Sequence, residues 1–302
     1  MDPSITIRPA TIEDSYACFR VFQETIMDLG QRQGVMTITG GQDPEVLAHL
    51  WEMRRPLFEH LARTADHYWL AEKEERVTGY ARSILRDGLR LLTEFFVLPG
   101  EQAAGVGREL LQRTFAAEGA RRRVVIATTD LPAIVRYLKA GVYPRFPVYG
   151  FSRSPGRIAV DTGLSFEPIN ASPQSLAVLG ALDQAILGFR REQDHAWLLE
   201  TRQGCLYYRG RQPVGYGYTG FYNGPFALLE EKDFPAVLAY AESQAAGRDD
   251  EFIVEVPLVN RSAVNYLLSR RFHMHAFASY LMSDEPFGRF ENYLPTSPPF
   301  FI

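Results

Sequence analysis

The sequence predicts an α/β (α+β) protein made of two similar halves, each a mixed, mostly antiparallel sheet flanked by helices. Three observations predict this. At 302 residues the chain exceeds the size at which a single core stops growing, so two domains of about 150 residues are expected. Short strand-like runs alternate with helix-periodic stretches through both halves. Landmarks of the first half also recur in the second. Val77-Thr78-Gly79-Tyr80 has a counterpart in Val214-Gly215-Tyr216-Gly217, 136 positions on. Asp130-x-x-Ala133, ending at Gly141-Val142, has one in Asn260-x-x-Ala263, ending at Arg271-Phe272, 130 positions on. Two landmarks with nearly equal offsets indicate an internal duplication.

The elements follow in order. Ile5 to Arg8 alternates as a strand and stops at Pro9, after which Asp14 is placed to cap a helix whose apolar positions run through Phe22. After the break at Gly40-Gly41, a second helix is predicted from Val46 to Leu61. Strands are predicted at 67–72, 76–86 and 90–98, the first two joined by the polar turn Glu72-Lys73-Glu74-Glu75. A helix with Val106, Leu110, Leu111 and Phe115 on one face precedes the strand Val124-Val125-Ile126. Asp130 and Pro132 open another helix, Gly141 ends it, and strands follow over 142–151. The Ser-, Gly- and Pro-rich stretch 152–165 reads as a linker, separating domains at 1–152 and 165–302. Ser172-Pro173 then caps a long helical region reaching Leu199, and the plan repeats.

Composition narrows the function. The net charge is −4 and the basic residues are dispersed, which leaves no footprint for nucleic acid. The one dense basic run, Arg121-Arg122-Arg123, falls where a helix end favours cations. Cys18 and Cys205 are far apart without ligand spacing, so neither a disulfide framework nor a metal site is expected. His195, His273 and His275 lack ligand spacing with carboxylates and read as surface or satisfied core residues. With no apolar run long enough for a signal peptide or a membrane span, a cytoplasmic protein with no membrane partner is expected.

The segment that carries chemistry runs from Leu91 to Leu110. An apolar strand ends at Pro99, a turn of small residues follows, and a helix starts near Gly105, so backbone N–H groups at the helix start face an open turn. Ala103, Ala104, Gly105 and Gly107 let the main chain approach an anion, and the helix dipole favours negative charge there. A bare Gly-x-Gly is equally compatible with a tight turn. A Rossmann site lacks its third glycine here, and no Gly-Lys-Ser/Thr follows for a P-loop.

This segment resembles the acetyl-CoA signature of the GCN5-related N-acetyltransferase (GNAT) superfamily, Gln/Arg-x-x-Gly-x-Gly/Ala after a strand ending in Val-x-Pro. Gln102-x-x-Gly105-x-Gly107 and Val97-x-Pro99 match it, and Asp130-x-x-Ala133…Tyr137…Gly141-Val142 is similar to the downstream helix, with Asp130 for the usual Asn and Val142 for the usual Phe. With the Ile-Arg-Pro-Ala opening, the resemblance covers about residues 4–150.

The resemblance implies an acetyltransferase that uses acetyl-CoA as cosubstrate and no metal, with a small-molecule primary amine as acceptor. It implies that Phe95, Phe96 and Val97 line a wedge for the pantetheine arm. The N–H groups of Gln102, Ala103, Ala104, Gly105, Val106, Gly107 and Arg108 would hold the pyrophosphate. Tyr137 stands where the family places its general acid, or else is an aromatic anchor; Glu94 is either a carboxylate taking the amine's proton through water or an acidic strand residue. The alternatives are a non-catalytic acyl-CoA-binding module and a protein N-terminal or lysine acetyltransferase.

The second copy departs at the turn, where Gly224 to Pro235 lacks the glycines and carries Glu230-Glu231 near the anion position. Phe226 to Ala241 therefore reads as core; Leu267 falls opposite Tyr137 in the repeat, with Tyr266 one residue away; and the apolar tail from Pro295 is expected to dock, by packing or, as in a few tandem members of the superfamily, with its carboxylate at the active site.

Overall fold

In the computed structural model of the protein, the structure describes residues 4–35, 43–101, 105–160, 162–220 and 222–299. The Gly40-Gly41 break, Gln102 to Ala104 and the last three residues lie outside them. The chain divides into two compact units, Met1–Val125 with Asp130–Val142, and Ile126–Thr129 with Tyr143–Ile302.

The first unit begins with β1 (Ile5–Pro9), then α1 (Ser15–Gln33), α2 (Pro44–Arg63), β2 (Ala65–Lys73), β3 (Arg76–Arg86) and β4 (Leu89–Val97). It continues with α3 (Val106–Thr114), β5 (Arg122–Thr128) and α4 (Leu131–Lys139). Strands β1 to β4 are neighbours in chain order, each antiparallel to the next, and β5 joins β4 in parallel. The β2–β3 turn places Glu74 and Glu75 at φ 51° and 63°, the left-handed geometry that a two-residue hairpin requires.

The strand period of two divides side chains between the faces. On one, Ile5, Ala71, Ala81 and Val97 pack with Val106 and Leu110 of α3. On the other, the ring of Phe22 meets Phe58 and Phe96, and Phe96 meets Tyr80, with centroids 6.0, 5.2 and 5.8 Å apart. Fully buried rings such as Phe58 contribute about 2 kcal/mol each.

Helix α1 is longer than its apolar pattern suggests, and Asp14 does not cap it by side chain. Its carboxylate turns back to accept from the N–H of Thr11 at 2.8 Å and from Arg8, because a 3₁₀ turn over Ile12–Asp14 comes first. Asp130 does cap α4, accepting from Ala133 N–H at 3.3 Å. The basic run also differs from expectation: Arg122 and Arg123 belong to β5. Arg123 still serves helix ends, donating to Phe115 O at 3.2 Å and Ala140 O at 2.9 Å, the C-caps of α3 and α4.

The second unit contains β6 (Tyr143–Arg153), β7 (Leu164–Pro168), α5 (Pro173–Ile186), α6 (Glu192–Thr201), β8 (Gln203–Arg209) and β9 (Gln212–Thr219). Then follow β10 (Phe226–Leu228), α7 (Phe234–Ala245), β11 (Phe252–Pro257), α8 (Arg261–Ser269), β12 (His273–Ser283) and β13 (Tyr293–Leu294). Strand β6 follows α4 in sequence, yet its ladders are with β11 and β12, both antiparallel. A second sheet has the order β13-β10-β9-β8-β7. The helical region expected to reach Leu199 consists of two helices, because Gly188 at φ 82° follows the end of the first. The stretch after β6 is hydrogen-bonded to α7, with Gly156 N–H on Glu242 and Ile158 N–H on Ser243 Oγ. Among the described residues, no helix is long and apolar enough to cross a membrane.

Candidate active site

The site forms where β4 loses a neighbour. Pairing with β5 runs from Leu89 to Leu92, and β4 continues through Val97 without it. At the same level the β3–β4 register shifts: Arg82 faces Glu94 and Ser83 faces Leu92, which leaves Thr93 as the bulged residue. Beyond the bulge Phe95, Phe96 and Val97 line a cleft, together with Thr25 of α1, Gly107 of α3, and Asp130, Pro132, Ala133 and Arg136 of α4. The sequence placed three of these strand residues and Gly107 at a cofactor site, and the structure brings them together.

The two signature glycines act differently. Gly105 is the N-cap of α3 at φ 79°, with open space around its Cβ direction, so it serves by conformation. A Cβ on Gly107 would meet Phe95 and the Arg136 guanidinium, each at 3.2 Å, so it serves by close approach. Arg108 and Glu109 N–H both donate to Gly105 O, at 3.1 and 3.2 Å. The amides of Val106 and Gly107 precede these first bonds at the positive end of the helix. The Arg108 amide is thus engaged within the helix. Gln102, Ala103 and Ala104 lie outside the described residues.

Tyr137 is buried on α4, with its ring edge-on to Phe95 at 6.1 Å, and it stands behind Phe95 without lining the cleft itself. Desolvation holds its phenol well above the usual range, so it keeps its proton across neutral pH. Glu94 is 2% exposed and does not line the cleft. Its two oxygens bind Arg82 and the Tyr80 hydroxyl, the latter at 2.9 Å.

Sequence reasoning missed Thr25, Arg32 and Arg136. Arg32 pairs with Asp130 at 3.3 Å, and Arg136 donates to Pro132 O at 2.9 Å while lying beside Gly107. A cation one helical turn after Ala133 was the available signal for Arg136. Nothing local ties Thr25 or Arg32 to residues about a hundred positions away. Among the described residues no cluster of three His, Cys, Asp or Glu side chains is arranged to hold a metal.

The second unit repeats the framework and closes the opening. Asn260 caps α8 through Ala263 N–H at 2.9 Å, as Asp130 caps α4. Val142 N–H donates to Tyr137 O and Phe272 N–H to Leu267 O, both at 3.0 Å, so Leu267 occupies the Tyr137 position. Gly79 pairs with Val97 and Gly215 with Leu228, which aligns β10 with the end of β4. On its free side β10 is taken by β13, Phe226 opposite Leu294 and Ala227 opposite Tyr293. Phe226, Phe234, Val237 and Leu238 are buried core, and the tail docks as far as Ser297, whose N–H donates to Asn223 O at 2.8 Å. His195 is a satisfied core histidine held between Asp183 at 2.8 Å and the Tyr218 hydroxyl at 2.9 Å.

A strand opening beside a glycine-started helix, on a mixed sheet flanked by helices, defines the α/β fold of the first unit. Residues 64–143 match the family model described as the acetyltransferase (GNAT) domain. A putative acetyltransferase from Pyrococcus horikoshii is 14% identical with a TM-score of 0.75, over 97% of this chain and 94% of that one. A GCN5-related N-acetyltransferase from Sphaerobacter thermophilus is 14% identical with a TM-score of 0.60, over 95% and 98%. A tandem GNAT protein from the clavulanic acid biosynthesis pathway is 13% identical with a TM-score of 0.56, over 93% and 99%. No curated protein matches the chain. The match to a GNAT domain thus lies within the first half, and the chain as a whole has a fold similar to that of the tandem GNAT protein.

Proposed function

We propose that the protein is an N-acetyltransferase that transfers the acetyl group of acetyl-CoA to a primary amine of a small molecule by direct attack. The observation that carries this reading is the coincidence of the Thr93 bulge, the end of β5 pairing at Leu92, and a cleft joining Phe95 to Val97 with Gly107. Acetyl-CoA supplies an activated thioester when bound. Alternate residues of β4 turn their N–H and C=O groups away from β3, toward the side that β5 no longer covers, and there they fit the amide-bearing pantetheine arm. The Val106 and Gly107 amides at the start of α3 face the pyrophosphate.

Phe95 and Phe96 exclude water from the wedge, and Tyr137, packed behind the ring of Phe95 and holding its proton, is the donor by resemblance to the family: it gives that proton to the sulfur as the C–S bond breaks and the C–N bond forms, which requires its hydroxyl to reach the cleft. The proton lost by the amine passes to solvent. Calorimetric titration with acetyl-CoA tests the reading against a folded Gly105→Glu, Gly107→Glu double variant. Saturable binding that the variant loses is expected, followed by turnover in an amine screen. A wild-type protein that does not bind acetyl-CoA overturns the proposal.

A further inference from the structure

Glu94 is the centre of a buried polar cluster that grips the β4 bulge. The Arg82 and Glu94 side chains are both fully inaccessible, and they form an ion pair. Tyr80 donates to the second carboxylate oxygen at 2.9 Å. Arg82 also donates to Phe58 O on α2 at 2.8 Å, and its guanidinium lies 4.9 and 5.5 Å from the ring centroids of Tyr68 and Phe58. Thr93 Oγ1 donates to Arg82 O at 3.0 Å. Arg82 therefore holds both residues of the kink, Glu94 by its side chain and Thr93 by its backbone.

The second unit keeps the same kind of cluster but moves the acid. Tyr216, the repeat counterpart of Tyr80, binds Asp183, which also takes Arg191 Nε at 2.8 Å. Asp183 stands on α5, and the position that matches Glu94 is Pro225, immediately before β10. There the strand that follows is paired on both sides, by β9 and β13. A buried acid, arginine and tyrosine are common to both halves, whereas an acid on the cleft strand belongs only to the half whose strand opens.

We infer that Glu94 is a positioning residue: with Arg82 and Tyr80 it holds the bulge at Thr93, and so sets Phe95 to Val97 at the angle that keeps the wedge open. This rests on the proposed function, because the wedge matters only if it receives a pantetheine arm. A carboxylate with both oxygens engaged and no opening onto the cleft does not collect the amine's proton.

Two variants test this. Glu94→Asp keeps the ion pair on a shorter reach. Arg82→Met with Glu94→Leu removes both charges together, which avoids stranding one of them in the core. Each is first checked for a wild-type-like thermal midpoint and then titrated with acetyl-CoA and with adenosine 3′,5′-bisphosphate, which lacks the pantetheine arm. Misplacement of the wedge lowers acetyl-CoA affinity by about tenfold or more and leaves the bisphosphate affinity unchanged. A folded variant with unchanged acetyl-CoA affinity, or with equal losses for both ligands, overturns the inference while leaving the proposed function in place. If the double variant does not fold, Glu94→Asp decides. If the wild type binds neither ligand, the proposed function falls and this inference falls with it.

Discussion

A Cβ at position 107 would stand 3.2 Å from the ring of Phe95, so the first turn of α3 and the opened strand meet where only a glycine leaves passage. Gly107→Leu is expected to fold and to weaken acetyl-CoA binding by about tenfold or more, because the added side chain fills the route between Phe95 and Arg136. Gly105→Ala meets no atoms and carries only the left-handed strain, about 1–2 kcal/mol of stability. Calorimetry combined with thermal denaturation separates the two effects. Equal binding losses with equal destabilisation would contradict the division of roles.

Tyr137→Phe removes the proposed proton donor and keeps the ring contact with Phe95. The expected result is a fall in kcat of about 100-fold with an unchanged acetyl-CoA Kd. Because burial raises the phenol above its ordinary value of 10.0, Tyr137 stays protonated as pH rises through that value. No loss of wild-type rate below pH 10 should therefore trace to it. A fall near pH 8 that disappears in the Phe variant would be inconsistent with this assignment.

One acetyl-CoA per chain is expected. In the second unit β13 pairs with β10 on the side that is open in β4, and Leu267 replaces the tyrosine. A titration with a stoichiometry of two, retained in the Gly105→Glu, Gly107→Glu variant, would show that β13 leaves the second wedge.

Glu255 on β11 is half-buried, and desolvation alone pushes its carboxyl up to about 7. A folded pKa above the unfolded value near 4.5 means that its contribution to stability is complete at pH 4 and is lost as pH rises toward and through 7. Glu255→Gln should match the wild type at pH 4 and exceed it by about 2 kcal/mol at pH 8. Chemical denaturation at the two pH values measures the difference, and a variant no more stable at pH 8 refutes it.

Much of this molecule was legible before its structure. The order of elements, the caps at Asp130 and Ser172, the repeat and the strand and helix that meet at the cleft follow from local chemistry. Turn residues, caps and apolar periods act within a few positions, and those signals survive in a linear sequence. Four of the cleft residues, Phe95, Phe96, Val97 and Gly107, were named through the resemblance of their segment to the GNAT signature.

Only the tertiary structure decided where β5 stops pairing, that Thr93 is the bulge, and that β6 forms its ladders with β11 and β12. It also decided that Glu94 is bound to Arg82 beneath the cleft and that β13 closes the second copy. These depend on register between distant segments, where a shift of one residue exchanges the two faces of a strand without changing its composition or period. The sequence by itself determined which pieces exist and that a glycine starts the helix after the apolar strand. Long-range pairing determined which strand opens, because that is settled by what lies beside each strand in space.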